Sequence, residues 1–418
     1  MTQSAIEQQI LAWIEEDRDA LVRFLSAFIR IPSPNPPGDT RAVAAFVADH
    51  LKGQGAPCEV LHAREDLPNV VGEFGVGSPH LVLNGHIDVF PAGPDHIWAS
   101  GDPWSGTIAD GRIHGRGAVD MKCGTAASIW TFIYLHRLRD QLAGRLSLTC
   151  VSDEETGGQW GTKWLLDSFP ERFLGDCCLN GEPSTPATIR FGEKGTLRLR
   201  FEVDTPGAHG AYTHASPNAI RVASELILDL YRLTEMPVVQ PQAIAAAIEA
   251  SFPAMDKAVG AGTSTILNRV TVSIGTIKGG LKVNMLPGHC EFEVDIRLPV
   301  GMSGAAVMAE IETILGRYPA AKVTRLDAHS SDPTASPPDD RMVAILKDVV
   351  GALGWPAPVP AVSLGATDTR YWRKANIPAY YYGCTPNGMA KADEAVSIEE
   401  YLHMVRTHAL AAARYLAR

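Results

Sequence analysis

Four short segments carry imidazole or acidic side chains just where an apolar run stops. His86 and Asp88 follow Leu81-Val82-Leu83-Asn84-Gly85, and Asp120 follows Gly115-Arg116-Gly117-Ala118-Val119. Glu154 and Glu155 follow the run Leu146-Ser147-Leu148-Thr149-Cys150-Val151, and Glu182 follows Cys177-Cys178-Leu179-Asn180-Gly181. In extended backbone residues two apart share a face, so His86 and Asp88 point the same way. A metal-binding imidazole needs a fixed tautomer, which a carboxylate on its second ring nitrogen supplies. Taken singly, each segment has a plainer explanation. A His-x-Asp can cap a strand end, Asp120 can be the N-cap of the apolar helix after it, and Asp153-Glu154-Glu155 can be a solvated turn. Taken together they describe a metal site. Adjacent residues in extended backbone face opposite ways, so Glu154 and Glu155 are free to do different work, one binding a cation and the other handling a proton. Histidine with several carboxylates suits zinc, manganese or cobalt better than calcium, which prefers oxygen ligands alone.

Such a site needs elements that end at a common edge. Helical periodicity over residues 4–30 stops at the proline-rich Ile31-Pro32-Ser33-Pro34-Asn35-Pro36-Pro37-Gly38. A helix at 41–53, strands at 57–62, 69–74 and 81–83, a helix at 124–138 and a strand at 146–151 follow. Asn84-Gly85 is read as the point where the 81–83 strand opens out. This alternation is that of an α/β sheet, whose functional crevice lies at the carboxyl ends of the strands. The loop Trp98 to Trp104 either covers a site or packs on the surface. From Gly195 the pattern changes to a strand, a helix at 218–233, strands at 268–276 and 289–297, a helix at 303–316 and a strand at 321–327, a small α+β unit. Residues 236–267 are alanine-rich and suggest no chemistry. An amphipathic helix at 398–416 closes the chain, with His403 and His408 expected on its surface.

Composition bounds the function. The 418 residues are 45% hydrophobic and 20% charged with a formal net charge of -10, which argues against nucleic acid or an anionic membrane as partner. Seven scattered cysteines, an odd number, read as reduced thiols rather than a disulfide framework. No signal peptide or bilayer-spanning run is evident, so cytoplasm is the expected location.

The ordered motifs Gly85-His86-Ile87-Asp88, Gly115-Arg116-Gly117 through Asp120-Met121-Lys122, Asp153-Glu154-Glu155-Thr156-Gly157-Gly158 and Gly181-Glu182-Pro183 resemble the dinuclear zinc hydrolases that include acetylornithine deacetylase, succinyl-diaminopimelate desuccinylase, aminoacylase and carboxypeptidase G. The resemblance runs along nearly the whole chain. It implies an α/β, zinc-peptidase-like catalytic domain with a mixed sheet, residues 1–193 and 333–418, and an inserted α+β dimerisation and lid domain, residues 194–332. It also implies that His86, Asp120 and Glu182 hold one metal, that Asp120 and Glu155 hold a second, that Asp88 orients His86, and that Glu154 is the general base. His209, in Gly207-Ala208-His209-Gly210, falls where the family places a histidine that reaches a partner subunit's site in a homodimer to stabilise an oxyanion. Asn284, Arg297, Thr367 and Arg370 fall on positions that hold a small-molecule substrate, although a structural salt bridge explains Arg297 equally well.

One segment departs from the family pattern. Members resembling Gly388 to Ser397 carry a histidine, the last ligand of the second metal, where this chain has Lys391. Lysine must lose a proton before it can coordinate. The expectation is therefore one tightly held ion, with the Lys391 ammonium neutralising Glu155 near the substrate, against the alternative that another group supplies the ligand and two ions bind. The implied reaction is hydrolysis of a carbon–nitrogen bond, first of all the amide of an N-acyl amino acid or small peptide. A same-fold enzyme for a non-peptide bond, such as an aromatic amine or catabolic amide, is the nearer alternative. A non-catalytic binding homologue is the remoter one, because binding alone needs no general base.

Overall fold

The computed structural model describes residues 2–327 and 330–417. A nine-stranded mixed sheet organises it, in the order Glu59–Arg64, Leu67–Gly75, Arg145–Val151, His80–His86, Cys177–Asn180, Ala379–Tyr381, Thr188–Glu193 and Thr334–Ala335, with Val359–Ser363 also paired to Thr188–Glu193. Arg145–Val151, His80–His86, Cys177–Asn180 and Ala379–Tyr381 are mutually parallel. Strands covered on both faces read as continuous apolar runs, and every residue of His80–His86 is buried.

The helix Lys122–Arg137 crosses this sheet, and its residues from Lys122 to Leu135 are all buried. It lies between the sheet and the helix Ile398–Tyr415, which also packs on Gln3–Glu16 and Arg341–Ala352. That placement corrects the expectation for the last helix. His403 and His408 are buried, not on its surface. His403 stacks on Trp355 with ring centroids 4.1 Å apart and shares a 2.7 Å hydrogen bond with the Tyr382 hydroxyl. His408 Nε2 lies 2.7 Å from the Tyr382 carbonyl oxygen. The amino-terminal periodicity is likewise carried by two helices, Gln3–Glu16 and Arg18–Ile29, broken at Asp17.

A second apolar cluster belongs to a four-stranded antiparallel sheet, ordered Thr271–Gly279, His289–Leu298, Gly195–Asp204, Ala321–Arg325. Its inner face carries Leu197, Leu199, Phe201, Phe292, Val294 and Ile296 against the helices Ala219–Leu230 and Gly304–Leu315. Its other face is polar, as in the 2.7 Å Arg200–Glu293 pair, the alternation expected of a sheet with one side in water. The alanine-rich stretch forms the helix Gln242–Val259, which packs against Val359–Ser363, so Ile248 and Met255 join the core of the large sheet.

Candidate active site

Register brings the acidic segments together. Leu83 pairs with both Leu148 and Leu179, and Asn84 with both Thr149 and Asn180. The buried amides continue the alignment: Asn180 Nδ2 donates to Asn84 Oδ1 at 2.7 Å, and Asn84 Nδ2 to Thr149 Oγ1 at 3.1 Å. Three parallel strands therefore finish level, and His86, the Asp153–Glu155 turn and Glu182 leave the same edge. The middle strand opens at Asn84-Gly85 on one side only: its pairing with Cys177–Asn180 ends at Asn84, while that with Arg145–Val151 continues through His86. Gly85 serves close approach: a Cβ there would sit 2.5 Å from Thr125 Oγ1, which instead donates to the His86 carbonyl at 2.5 Å. This crossing sets the start of Lys122–Arg137, and so Asp120, beside His86. The N-cap position of that helix is Met121, so Asp120 is not its cap.

His86 Nε2 is 3.2 Å from Asp120 Oδ1 and 3.5 Å from Glu182 Oε1. Two overlapping groups each have ligand atoms within 4.8 Å of one another: His86, Asp120 and Glu155, and His86, Glu154 and Glu182. Glu154 and Glu155 lie on a 3-10 turn, Glu154–Thr156, rather than on extended backbone. The separation of the two neighbours survives, since successive residues on such a turn diverge by roughly 120°.

Asp88 does more than face the imidazole. His86 Nδ1 lies 2.8 Å from the Asp88 backbone oxygen and 3.5 Å from Oδ1. The Asp88 carboxylate accepts the amides of Glu154, at 3.3 Å, and Glu155, at 3.2 Å, and the side-chain amide of Asn35 at 2.9 Å. Asn35 also reaches Thr156 Oγ1 at 3.2 Å. The turn needs such holding, because Asp153 sits at φ 78°, a left-handed conformation that costs a non-glycine residue roughly 1–2 kcal/mol.

The electrostatics show what the cluster lacks. Burial opposes charge on His86, yet the carboxylates of Asp120, Asp88 and Glu182 set against its ring nitrogens together raise its pKa well above the ordinary value. Burial pushes Glu182 up to about 7, with repulsion from Asp120 adding to it. Burial likewise raises Glu154 and Glu155 well above the usual carboxylate range, helped by Asp368 and Asp120 respectively. Several carboxylates thus share one imidazole, with the Arg370 guanidinium near Glu154 as the other counter-charge. Buried His86 Nε2 and Glu155 Oε1 have no hydrogen-bond partner. A divalent cation supplies what both atoms and the crowded carboxylates want, and the imidazole-plus-carboxylate set fits zinc, manganese or cobalt.

The remaining residues of interest are scattered. Arg370 is buried, donating to the carbonyls of Thr367 at 2.7 Å and Gly157 at 2.9 Å, with Nη1 3.6 Å from Glu154 Oε1. Thr367 spends its amide and hydroxyl on Glu193 Oε2, each at 3.1 Å. Arg297 pairs with Asp295 at 2.8 Å. Asn284 and His209 are exposed on the inserted unit, where His209 pairs with Met285 in a two-stranded ribbon. His209 has no hydrogen bond to the acidic cluster among the described residues, its Nδ1 accepting the amide of Ala211 at 3.2 Å. Lys391 is exposed and forms no ion pair among the described residues. The expected neutralisation of Glu155 by its ammonium is therefore absent. Sequence reasoning passed over Asn35, Asp368 and Glu394. Asp368 is buried, accepts from Thr162 Oγ1 at 2.8 Å and leaves Oδ1 without a partner. Its position between Thr367 and Arg370 was the available signal.

The convergent imidazole and carboxylates at the strand ends are the donor set of a metal-binding site. Residues 82–414 match the profile of peptidase family M20/M25/M40. A succinyl-diaminopimelate desuccinylase of Methylorubrum extorquens is 30% identical over 389 residues, 90% of this chain and 93% of that one. Among solved structures, the M20 family metallo-carboxypeptidase Sso-CP2 from Sulfolobus solfataricus superposes with a TM-score of 0.76 at 17% identity, covering 94% of this chain and 99% of its own. Human carnosine dipeptidase 1 gives 0.72 at 17% identity, covering 98% and 99%. The chain belongs to peptidase family M20/M25/M40. It is an enzyme that hydrolyses amide bonds of acyl-amino acids or peptides with the help of a divalent metal.

Proposed function

We propose that this chain cleaves the amide of an N-acyl amino acid, with His86, Asp120 and Glu182 holding a divalent ion, zinc first among the candidates, and Glu154 as general acid and base. The observation that carries this reading is the convergence on His86 Nε2 of Asp120 Oδ1 at 3.2 Å and Glu182 Oε1 at 3.5 Å. Asp120 and Glu155 are assigned to a second ion, a reading supported by the unpartnered Glu155 Oε1 and by the exposure of Lys391 away from any ion pair. When bound, such an ion polarises the scissile carbonyl and makes water acidic near neutral pH. Glu154, held by Asp88 through its amide, takes the proton from water and returns it to the departing nitrogen. Arg370 beside Glu154 keeps the turn in place from the opposite side.

The oxyanion is assigned to His209 of a second subunit, so the working form is a homodimer. His209 is flanked by exposed Tyr212, Leu281, Val283 and Met285, apolar surface suited to an interface. The name of the Methylorubrum relative makes an N-succinyl diamino acid the first substrate to try. The free state of all seven cysteines agrees with a reducing compartment such as the cytoplasm.

Hydrolysis assays with N-succinyl and N-acetyl amino acids, dipeptides and aryl amides, repeated on Glu154→Gln, test the assignment. The expected outcome is turnover of an N-acyl amino acid that falls by roughly 10²–10⁴-fold in Glu154→Gln with metal content unchanged. Retention of most of the turnover by that variant contradicts the role given to Glu154, and activity on aryl amides alone moves the substrate to the non-peptide class.

A further inference from the structure

Two segments have no task in this scheme: the aromatic loop from Trp98 to Trp104, and the stretch from Gly388 to Ser397 that departs from the resembled family. They meet behind Asp120. Asp393 Oδ1 accepts the amide of Ala99 at 2.8 Å. The next residue, Glu394, is completely buried, and its Oε1 accepts the amides of Val119 at 2.7 Å and Asp120 at 3.1 Å. Its Oε2 pairs with Arg116. The Arg116 guanidinium lies over the Trp98 ring, 5.2 Å from its centroid, and Trp98 Nε1 donates to the Ala92 carbonyl at 2.9 Å. The Glu394 backbone oxygen in turn accepts the amide of Gly115 at 2.9 Å, so this residue holds the turn from Gly115 to Asp120 at both ends.

We infer that Glu394 is a positioning residue for the metal centre, holding Asp120 at the ion through its backbone while Arg116 and Trp98 hold Glu394. The inference rests on the metal role given to Asp120 under the proposed function. Its physical basis is that buried polar groups need partners, and here one carboxyl group serves two successive amides and a guanidinium. Removing the carboxylate leaves two amides and the guanidinium without a partner in the interior and frees the Asp120 backbone to move. A glutamine keeps one oxygen for the amides but turns a donor towards Arg116. It should therefore preserve part of the effect.

The test is zinc affinity, measured by competition with a chromophoric chelator on the full chain, for wild type, Glu394→Ala, Glu394→Gln and Trp98→Leu, with circular dichroism and thermal midpoint recorded in parallel. Supporting groups around metal ligands are worth 10–100-fold in affinity. Glu394→Ala is expected to bind zinc about 10–100-fold more weakly, Glu394→Gln to recover part of that loss, and Trp98→Leu to lose a few-fold. A purely structural role would lower the thermal midpoint and leave the zinc affinity of the folded protein alone. A folded Glu394→Ala with wild-type zinc affinity overturns the inference. If Glu394→Ala does not fold, wild-type affinity in both other variants overturns it instead. Wild type that binds no zinc, manganese or cobalt removes the proposed function itself, and this inference with it.

Discussion

At the scale of single residues, the most informative side chain is Asp88. The resemblance assigns it to His86, and its backbone oxygen does lie against His86 Nδ1. Its carboxylate, however, is spent on the amides of Glu154 and Glu155 and on Asn35. Asp88 thus ties the ligand histidine to the proton-handling turn, and a one-atom change tests this. In Asp88→Asn one oxygen still accepts, while the new NH₂ group confronts either the Glu154 amide or the Glu155 amide together with Asn35, donor against donor. The expected result is a fall in kcat of roughly 10–100-fold with unchanged circular dichroism; wild-type kcat in the folded variant would show that the Asp88 carboxylate is not needed to hold the turn.

At the scale of elements, the last helix behaves as an interior element rather than as an amphipathic helix with His403 and His408 on its surface. His408 is fully buried, and desolvation lowers its pKa to about 4 despite the opposing bond to the Tyr382 carbonyl. Its Nδ1 has no partner, so a second proton would be buried unpaired. The folded value lies below that of the unfolded chain, which means the unfolded state binds more protons as pH falls. The stabilisation is complete above the unfolded value near 6.5 and is lost as pH falls from there towards 4. Between pH 7 and pH 5 this one group should cost about 2 kcal/mol of unfolding free energy. Urea denaturation of wild type and His408→Gln at both pH values checks the sign: the variant should lose less stability on acidification, and an equal loss in both proteins would show that His408 does not titrate as described.

The same element shows why some of the molecule was legible in the sequence and some was not. Strand ends were readable because Leu81-Val82-Leu83, Leu146 to Val151 and Cys177-Cys178-Leu179 are apolar runs followed by acids. The parallel register then did the rest, bringing His86, the Glu154–Glu155 turn and Glu182 to one edge. Periodicity records which side of a helix is apolar, not how many neighbours it meets. Ile398–Tyr415 carries two histidines that each bond to Tyr382, and nothing local signals that. Asn35 and Glu394 escaped for a related reason. Each acts on a partner far away in sequence, Asn35 on Asp88 and Glu394 on Asp120, so only the folded chain puts the two ends side by side. Lys391 was the opposite case, a residue conspicuous in the sequence that the fold leaves in solvent.

At the scale of the whole molecule, a mixed sheet supplies the cleft and an antiparallel unit with its own core is inserted after Glu193, where buried Lys194 donates at 2.7 Å each to the carbonyls of Ile266 and Arg269. The helix Gln242–Val259 belongs by sequence to the insertion and by packing to the large sheet, so the two units are bound by more than their crossing strands. This frame presents a cluster of carboxylates with too little positive charge of their own, and a divalent ion completes it. Calorimetric titration of zinc into the metal-free chain, wild type against His86→Ala, tests that statement most directly. Wild type is expected to bind zinc tightly, with the tightest site lost in a folded His86→Ala. The same zinc stoichiometry and affinity in both proteins would contradict it.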